Sequence, residues 1–368
     1  MRPRPFALER YFARYEFTAR YLLGSSDPES LAIEDLLALE PGSQERLLTC
    51  WLGYTESSGS PALRAAIAAL YERTAADDVL VHAGAQEPIF AFANVALSAG
   101  DSVVVQLPAY QSHYAVAEAI GAEVIPWPVD LDGEGAPDPG ELARLIRPST
   151  RAIFITTPGN PTGYVFDRAR LDATIALARK HGLLLFSDEV YRGSEREPAD
   201  RVPAVCDLYE RGVSLGAMAK TYGLAGLRIG WIATHDRALY DAMAAFKDYL
   251  TICNPSPSEF LATLALRHGE ALLERTRTIA RANLDLLDAF FARHEHRWRW
   301  HRPRAGTTAF PRYLGGSTQR LCADLVERAG VLLIPSAIFD AGDAHVRIGY
   351  GRKNLPEALA ALERALLS

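Results

Sequence analysis

Between about residues 60 and 235 the chain alternates two patterns of apolar positions. Short, almost continuous apolar runs, "DVLVHAG", "DSVVVQLP", "AEVIPWPV", "RAIFITTP", "GLLLFSDE", "GVSLGAM" and "RIGWIAT", read as strands buried on both faces. Between them, stretches such as "SPALRAAIAALYERT", "YQSHYAVAEAIGA" and "DRARLDATIALARKHG" repeat their apolar residues every three or four positions, the period of an amphipathic helix. This alternation predicts βαβ units wound around a mainly parallel sheet with helices on both faces, a three-layer α/β/α arrangement. From 256 to 293 the helical period runs without interruption and predicts one long bridging helix. The remainder mixes "TTAFPRYL", "GVLLIP" and "HVRIGYG" with two helical stretches and reads as a smaller α+β cap. The expected division is an N-terminal flap or arm over 1–40 with no core of its own, packed on the cap, a large domain over 41–255, and the bridging helix with the cap over 256–368.

In open α/β sheets ligands bind beyond the carboxyl ends of the strands, and five strand ends here carry suitable chemistry. In "HAGAQEP", Gly84, Ala85 and Gln86 open a helix, so backbone N–H groups and the helix dipole can approach a phosphate. "LPAYQSHY" places Tyr110 after a strand, where its ring can stack on a flat heterocycle. "TTPGNPTG" is a tight turn presenting the amide of Asn160. "LLLFSDEVYRG" ends a fully apolar strand in Asp188, with Tyr191 three residues on; a carboxylate there requires a cation or hydrogen bonds. In "LGAMAKTYGLAGLRIGW", Lys220 sits in an apolar loop that favours its neutral amine, ahead of Arg228, a fork for a phosphate. Each motif alone has a simpler reading: a helix cap, a packing ring, a turn, a salt bridge or a solvated lysine.

Together they resemble the class I/II aminotransferase family, fold-type I enzymes that use pyridoxal 5′-phosphate (PLP), and the resemblance spans nearly the whole chain. It implies that Lys220 forms the Schiff base and moves protons, that Asp188 pairs with the pyridine nitrogen, and that Asn160 and Tyr191 hydrogen-bond the phenolic oxygen. Tyr110 would stack on the ring, and Ala85, Gln86 and Arg228 would hold the phosphate. "GYTESSGSPALRAAI" is similar to the segment whose tyrosine, here Tyr54, reaches the phosphate of a neighbouring subunit, which implies a homodimer. "HVRIGYGR" matches the segment whose arginine, Arg347, clamps the substrate carboxylate, together with Asn160 and Gly24.

Three departures modify this expectation. Ala217 and Ala219 stand where the family carries serine hydroxyls near the phosphate, and Ser336 stands where relatives carry glycine, both suggesting a specialised pocket. The arm "YEFTARYLLGSSDPESL" resembles a capreomycidine-synthase-like subgroup, and its Glu16, Asp27 and Glu29 are candidates to meet a cationic side chain. Enzymes of that subgroup eliminate the β-hydroxyl of a hydroxylated arginine and close a ring with a guanidine nitrogen. Arg352 is expected to be a surface residue. Elimination with cyclisation and transamination both remain open, since they share every step up to removal of the Cα proton.

Composition narrows the alternatives. The chain has 368 residues, 49% hydrophobic and 23% charged, with net charge −6 and no basic cluster, so a nucleic-acid partner is not expected. A PLP-binding regulator without turnover is disfavoured for the same reason. Four scattered cysteines form no CxxC pair and no disulfide framework, and no run of about 18 apolar residues occurs. A reducing cytoplasm and no membrane partner are the expectations. Lysine occurs only at positions 180, 220, 247 and 353, an arginine and alanine bias that suggests a GC-rich genome and makes each lysine stand out.

Overall fold

The computed structural model describes residues 1–133 and 135–367; Glu134 and Ser368, the latter in the predicted final helix, lie outside the described residues. The N-terminal region supplies α1 (Ala7–Tyr15), α2 (Ile33–Leu37), α3 (Ser43–Leu48) and α4 (Pro61–Ala68). All seven runs expected as strands form one sheet: β1 (Val79–His82), β2 (Ser102–Leu107), β3 (Glu123–Pro128), β4 (Thr150–Thr156), β5 (Leu184–Asp188), β6 (Gly212–Ala217) and β7 (Gly230–Thr234). Their order is β1-β7-β6-β5-β4-β2-β3. The five from β3 to β6 run parallel, and β7 is antiparallel to both its neighbours.

The helices α5 (Gln86–Ala96), α6 (Ser112–Ile120), α7 (Pro139–Leu145), α8 (Arg168–His181), α9 (Val205–Leu208) and α10 (Arg237–Lys247) lie between the strands in sequence. Helical layers bury β5 and β6 at every position, which is why those strands read as unbroken apolar runs. Local signals set the helix ends: Asp167 and Asp236 accept first-turn N–H groups, and Gly121 and Gly182 close α6 and α8 in the left-handed conformation.

The predicted bridging helix divides into α11 (Ser256–Arg267) and α12 (Gly269–Arg293). His268 leaves the helical conformation between them, and the glycine that follows is a poor helix former. Beyond it come β8 (Trp298–Arg299), β9 (Thr308–Ala309), β10 (Arg312–Tyr313), α13 (Thr318–Ala329), β11 (Ile334–Pro335), β12 (Val346–Gly349) and α14 (Leu355–Leu367). A second core forms here, with Leu284, Phe290, Leu333, Val346, Ile348 and Leu362 fully buried.

The arm does not pack on this C-terminal layer alone. Leu8 of α1 joins Leu332, Ile334 and Phe339, whereas Leu31, Leu36 and Leu37 join the core of Leu63, Ile67 and Val81 beside the large sheet. The apolar residues on either side of 24–29 bury into whichever core lies nearest, so the intervening polar segment is drawn across the sheet's carboxyl edge.

Candidate active site

At that edge a cavity of about 410 Å³ collects residues from distant parts of the chain, within the range typical of small-molecule sites. Ala85 and Gln86 come from the start of α5, Thr156 from β4, Asp188 from β5, Ala217 from β6, Lys220 and Arg228 from the following loop, and Arg347 from β12. Tyr110, Asn160 and Tyr191 also line it. Ten of the eleven predicted site residues therefore meet here, Gly24 through its backbone carbonyl, which accepts from Arg347 Nε at 3.0 Å.

The end of the cavity at the start of α5 shows why small residues are required. A Cβ on Gly84 would fall 2.3 Å from Arg228 Nη2, and one on Gly230 would fall 2.5 Å from the Gly84 carbonyl carbon. Arg228 adopts a left-handed conformation, φ 52°, uncommon outside glycine. Its guanidinium donates to Ala225 O and meets no carboxylate among the described residues, leaving its charge free for an anion beside the N-terminus of α5. Gln86 donates to Ser112 Oγ at 2.6 Å, while its own Oε1 is buried without a partner. Ala217 and Ala219 add only methyl groups to the wall.

Asp188 is buried at the end of β5, where Val190 N donates to its Oδ1 and His113 Nε2 lies 3.1 Å from its Oδ2. His113 was not anticipated from sequence. It stands one helical turn beyond Tyr110 in "PAYQSHY", a spacing that places the two on the same side of the chain. Asn160 accepts from Arg347 Nη1 through Oδ1 at 3.1 Å, which leaves its amide nitrogen to donate elsewhere. Tyr191 gives its hydroxyl proton to Ser26 O at 3.3 Å rather than leaving it free in the cavity, and burial pushes this phenol well above its usual range.

Lys220 Nζ donates to Ser26 Oγ at 2.8 Å. Its side chain is half-buried and lines the cavity. Desolvation lowers its pKa and Arg347 acts in the same direction, against the attraction of Asp27, Glu9 and Asp188. Arg347 is fully buried, and desolvation lowers its pKa to about 10 despite nearby Tyr191, Asp27 and Tyr110. Its Nη2 has no hydrogen-bond partner among the described residues. A buried guanidinium nitrogen left unpaired fits a carboxylate ligand.

The donor set therefore fits PLP: an unpaired cation and a helix terminus for phosphate, a buried carboxylate for a ring nitrogen, an amide for the phenolic oxygen, and an amine of lowered basicity for the aldehyde. Among the described residues no group of His, Cys, Asp and Glu could hold a metal ion, and no helix is long and apolar enough to cross a membrane.

Tyr54, expected to act on a neighbouring subunit, is 85% exposed and lies outside the cavity of its own chain. Three expectations change. Glu29 also lies outside, its carboxylate accepting from Lys353 N; Glu9 takes its place beside Glu16 and Asp27, a residue missed because it lies ahead of the polar arm segment. Ser336 is fully buried in a turn, bonded to Gly342 O and His345 N, and does not touch the cavity. Arg352 is not a free surface residue, since it pairs with Asp27 at 2.7 Å.

Comparison with known proteins agrees with this geometry. Residues 23–362 match the family of class I and II aminotransferases. Capreomycidine synthase of Streptomyces vinaceus is 32% identical over 366 residues, 98% of this chain and 93% of that protein. Arginine–pyruvate transaminase AruH of Pseudomonas aeruginosa is 32% identical over 83% of this chain and 80% of its own length. The solved structure of the PLP-dependent cyclase OrfR superposes with a TM-score of 0.91 at 30% identity, covering 100% of this chain and 98% of the other. With that match and a cavity built for the cofactor, the chain belongs to the class I and II aminotransferase family and is a PLP-dependent enzyme.

Proposed function

We propose that this enzyme acts on an α-amino acid with a cationic side chain, and specifically that it eliminates the β-hydroxyl of a hydroxylated arginine and closes a ring with a guanidine nitrogen. The observation that carries this reading is the acidic side of the cavity: Glu9, Glu16 and Asp27 line it together with Lys220. Asp27 is already paired with Arg352, and Glu9 accepts from Tyr110 Oη at 3.2 Å. Among the described residues Glu16 has no cationic partner within hydrogen-bond distance; desolvation, Asp27 and Glu9 hold its carboxyl above the usual range. A guanidinium placed there relieves that cost. The similarity to capreomycidine synthase over nearly the full chain and to the OrfR cyclase supports the same reading.

Bound PLP supplies an aldehyde for the amino group and an electron sink for charge developing at Cα. In this reading Arg347, with Asn160 and the Gly24 carbonyl behind it, fixes the substrate carboxylate. Asp188, supported by His113, keeps the cofactor's ring nitrogen protonated, Tyr110 and Tyr191 confine the ring, and Ala85, Gln86 and Arg228 hold the phosphate. Lys220 Nζ takes the Cα proton. Transfer of the amino group to a 2-oxo acid is the second reading, favoured by the similarity to an arginine transaminase.

A homodimer accompanies the proposal. Trp51, Leu52, Tyr54, Tyr249 and Ile252 are exposed large apolar residues on two segments tied by hydrogen bonds from Ser256 Oγ to Trp51 O and from Thr55 Oγ1 to Asn254 O. A second copy covering this patch would bring Tyr54 toward its phosphate. The division at 1–40, 41–255 and 256–368 and a cytoplasmic location, supported by four free cysteines, belong to the same reading.

Incubation with 3-hydroxyarginine, without and with a 2-oxo acid, followed by mass spectrometry, decides between the chemistries. Loss of water with no amino acceptor is expected; a keto acid formed only with an acceptor overturns elimination in favour of transamination.

A further inference from the structure

The arm is fixed above Lys220 by contacts along its whole crossing. Gly24 O accepts from Arg347 Nε, Leu23 O accepts from Gly349 N at 2.6 Å, and Glu29 N donates to Gly351 O at 2.8 Å. Ser26 O accepts from Thr307 Oγ1 at 2.6 Å and from Tyr191 Oη at 3.3 Å. A Cβ on Gly349 would fall 1.7 Å from Ser25 O, so the arm lies flush on the end of β12. Ser26 is thereby held on both sides and is itself buried. Its Oγ accepts from Lys220 Nζ at 2.8 Å, close to the Tyr191 hydroxyl. A hydroxyl that accepts from an ammonium keeps its own proton for another acceptor, and Ser26 lines the substrate cavity.

From this placement we propose that Ser26 positions the Lys220 amine and relays its proton to the oxygen that leaves Cβ. The proposal rests on the elimination reading above. Lys220 Nζ takes the Cα proton, and the electron pair of that C–H bond becomes the second Cα–Cβ bond. The Cβ–O bond breaks with its pair on oxygen. Ser26 Oγ–H gives its proton to that oxygen, water departs, and Ser26 recovers a proton from Lys220 Nζ. Both side chains end as they began, one water is lost, and no oxidant or reductant is consumed. An enzyme that only transfers amino groups has no leaving oxygen to protonate.

Ser26→Ala and Ser26→Thr test the idea by two routes. In the PLP-loaded enzyme, Ser26→Ala is expected to slow exchange of the substrate Cα proton for deuterium by only about five- to ten-fold, the part owed to positioning the Lys220 amine. Its release of water from 3-hydroxyarginine falls roughly 10²-fold, the scale of a lost proton donor, and Ser26→Thr recovers most of it. An equal fall in both rates, or in neither, overturns the relay.

In the cofactor-free protein, the pH dependence of Lys220 acylation by acetic anhydride, read by peptide mass spectrometry, reports the neutral amine. Removing the hydroxyl deprives the ammonium of an acceptor, so the midpoint moves to lower pH in Ser26→Ala and returns in Ser26→Thr. The carboxylates of Glu9, Glu16, Asp27 and Asp188, the guanidiniums of Arg228 and Arg347, and the phenols of Tyr110 and Tyr191 also surround the amine, and all are common to the variants. An unmoved midpoint overturns the positioning role. If the parent releases no water from any hydroxylated arginine, elimination and relay fail together, while the acylation profile still decides whether Ser26 positions Lys220.

Discussion

His113 Nε2 lies 3.1 Å from Asp188 Oδ2, with both side chains buried. The carboxylate proposed to serve the cofactor's ring nitrogen thus has as its neighbour a residue of a different strand-to-helix connection. Replacing His113 with Phe keeps the aromatic packing against Phe154 and Phe186 but removes the polar contact. Asp188 Oδ2 would then face an apolar ring, and leaving a buried polar group without a partner costs about 1–3 kcal/mol, so kcat is expected to fall roughly five- to hundred-fold with the fold retained by circular dichroism. An unchanged kcat and unchanged PLP affinity would sink the role.

Arg347 presents a buried Nη2 without a partner beside an Nη1 committed to Asn160. Arg347→Lys retains charge but loses the planar fork. Its KM for the amino acid should rise about ten- to hundred-fold while PLP binding, followed by absorbance titration, stays within about two-fold. Burial lowers the guanidinium to about 10, so in the parent carboxylate binding is present below that pH and weakens as pH rises through it. A KM flat across that interval contradicts the clamp.

Among the described residues Glu16 and Glu9 both line the cavity without a cationic side chain in hydrogen-bond distance, and of the two only Glu9 accepts from a tyrosine hydroxyl. Glu16→Gln should raise KM for arginine-derived substrates by about ten-fold, equivalent to about 1.4 kcal/mol, and leave amino acids with neutral side chains unaffected. Equal effects on both substrate groups would assign Glu16 to folding rather than selectivity.

Glu87 ties the segment ahead of α5 to the loop at 249–256, accepting from Ala83 N at 2.6 Å and from Thr251 Oγ1 at 2.6 Å. Burial alone would raise its carboxyl, but hydrogen bonds from His82, Thr251 and Ala83 prevail and bring it from 4.5 to about 2. A carboxyl depressed on folding contributes stability above its unfolded pKa, and that contribution disappears as pH falls through the folded value. The Tm difference between the parent and Glu87→Gln should therefore be full at neutral pH and narrow between about 4.5 and 2. A difference independent of pH would refute the linkage.

Trp51 and Tyr54 are 77% and 85% exposed on the apolar patch proposed to meet a second copy. Trp51→Asp should yield monomer in analytical ultracentrifugation, with PLP retention reduced. Tyr54→Phe should leave the dimer intact and weaken PLP by about five- to ten-fold, the scale of one hydrogen bond. A fully active parent monomer at micromolar concentration would remove Tyr54 from the site.

The sequence by itself determined the seven sheet strands, the strand-end motifs and the cofactor, because burial on both faces, glycine at close approaches and charged residues ending apolar strands are local requirements written into neighbouring positions. Lys220, Asp188, Asn160, Arg228 and Arg347, singled out by those motifs, line one cavity. Only the tertiary structure decided what crosses above them. Ser26 and Glu9 reach Lys220 from 194 and more positions away, and His113 reaches Asp188 from a separate connection; no spacing along the chain encodes those distances. The same holds for Arg352, drawn from the surface by Asp27, and for Ser336, kept from the cavity by its own turn. Which carboxylate lacks a cationic partner depends on every ion pair around it, and that balance exists only once the arm has folded across the sheet.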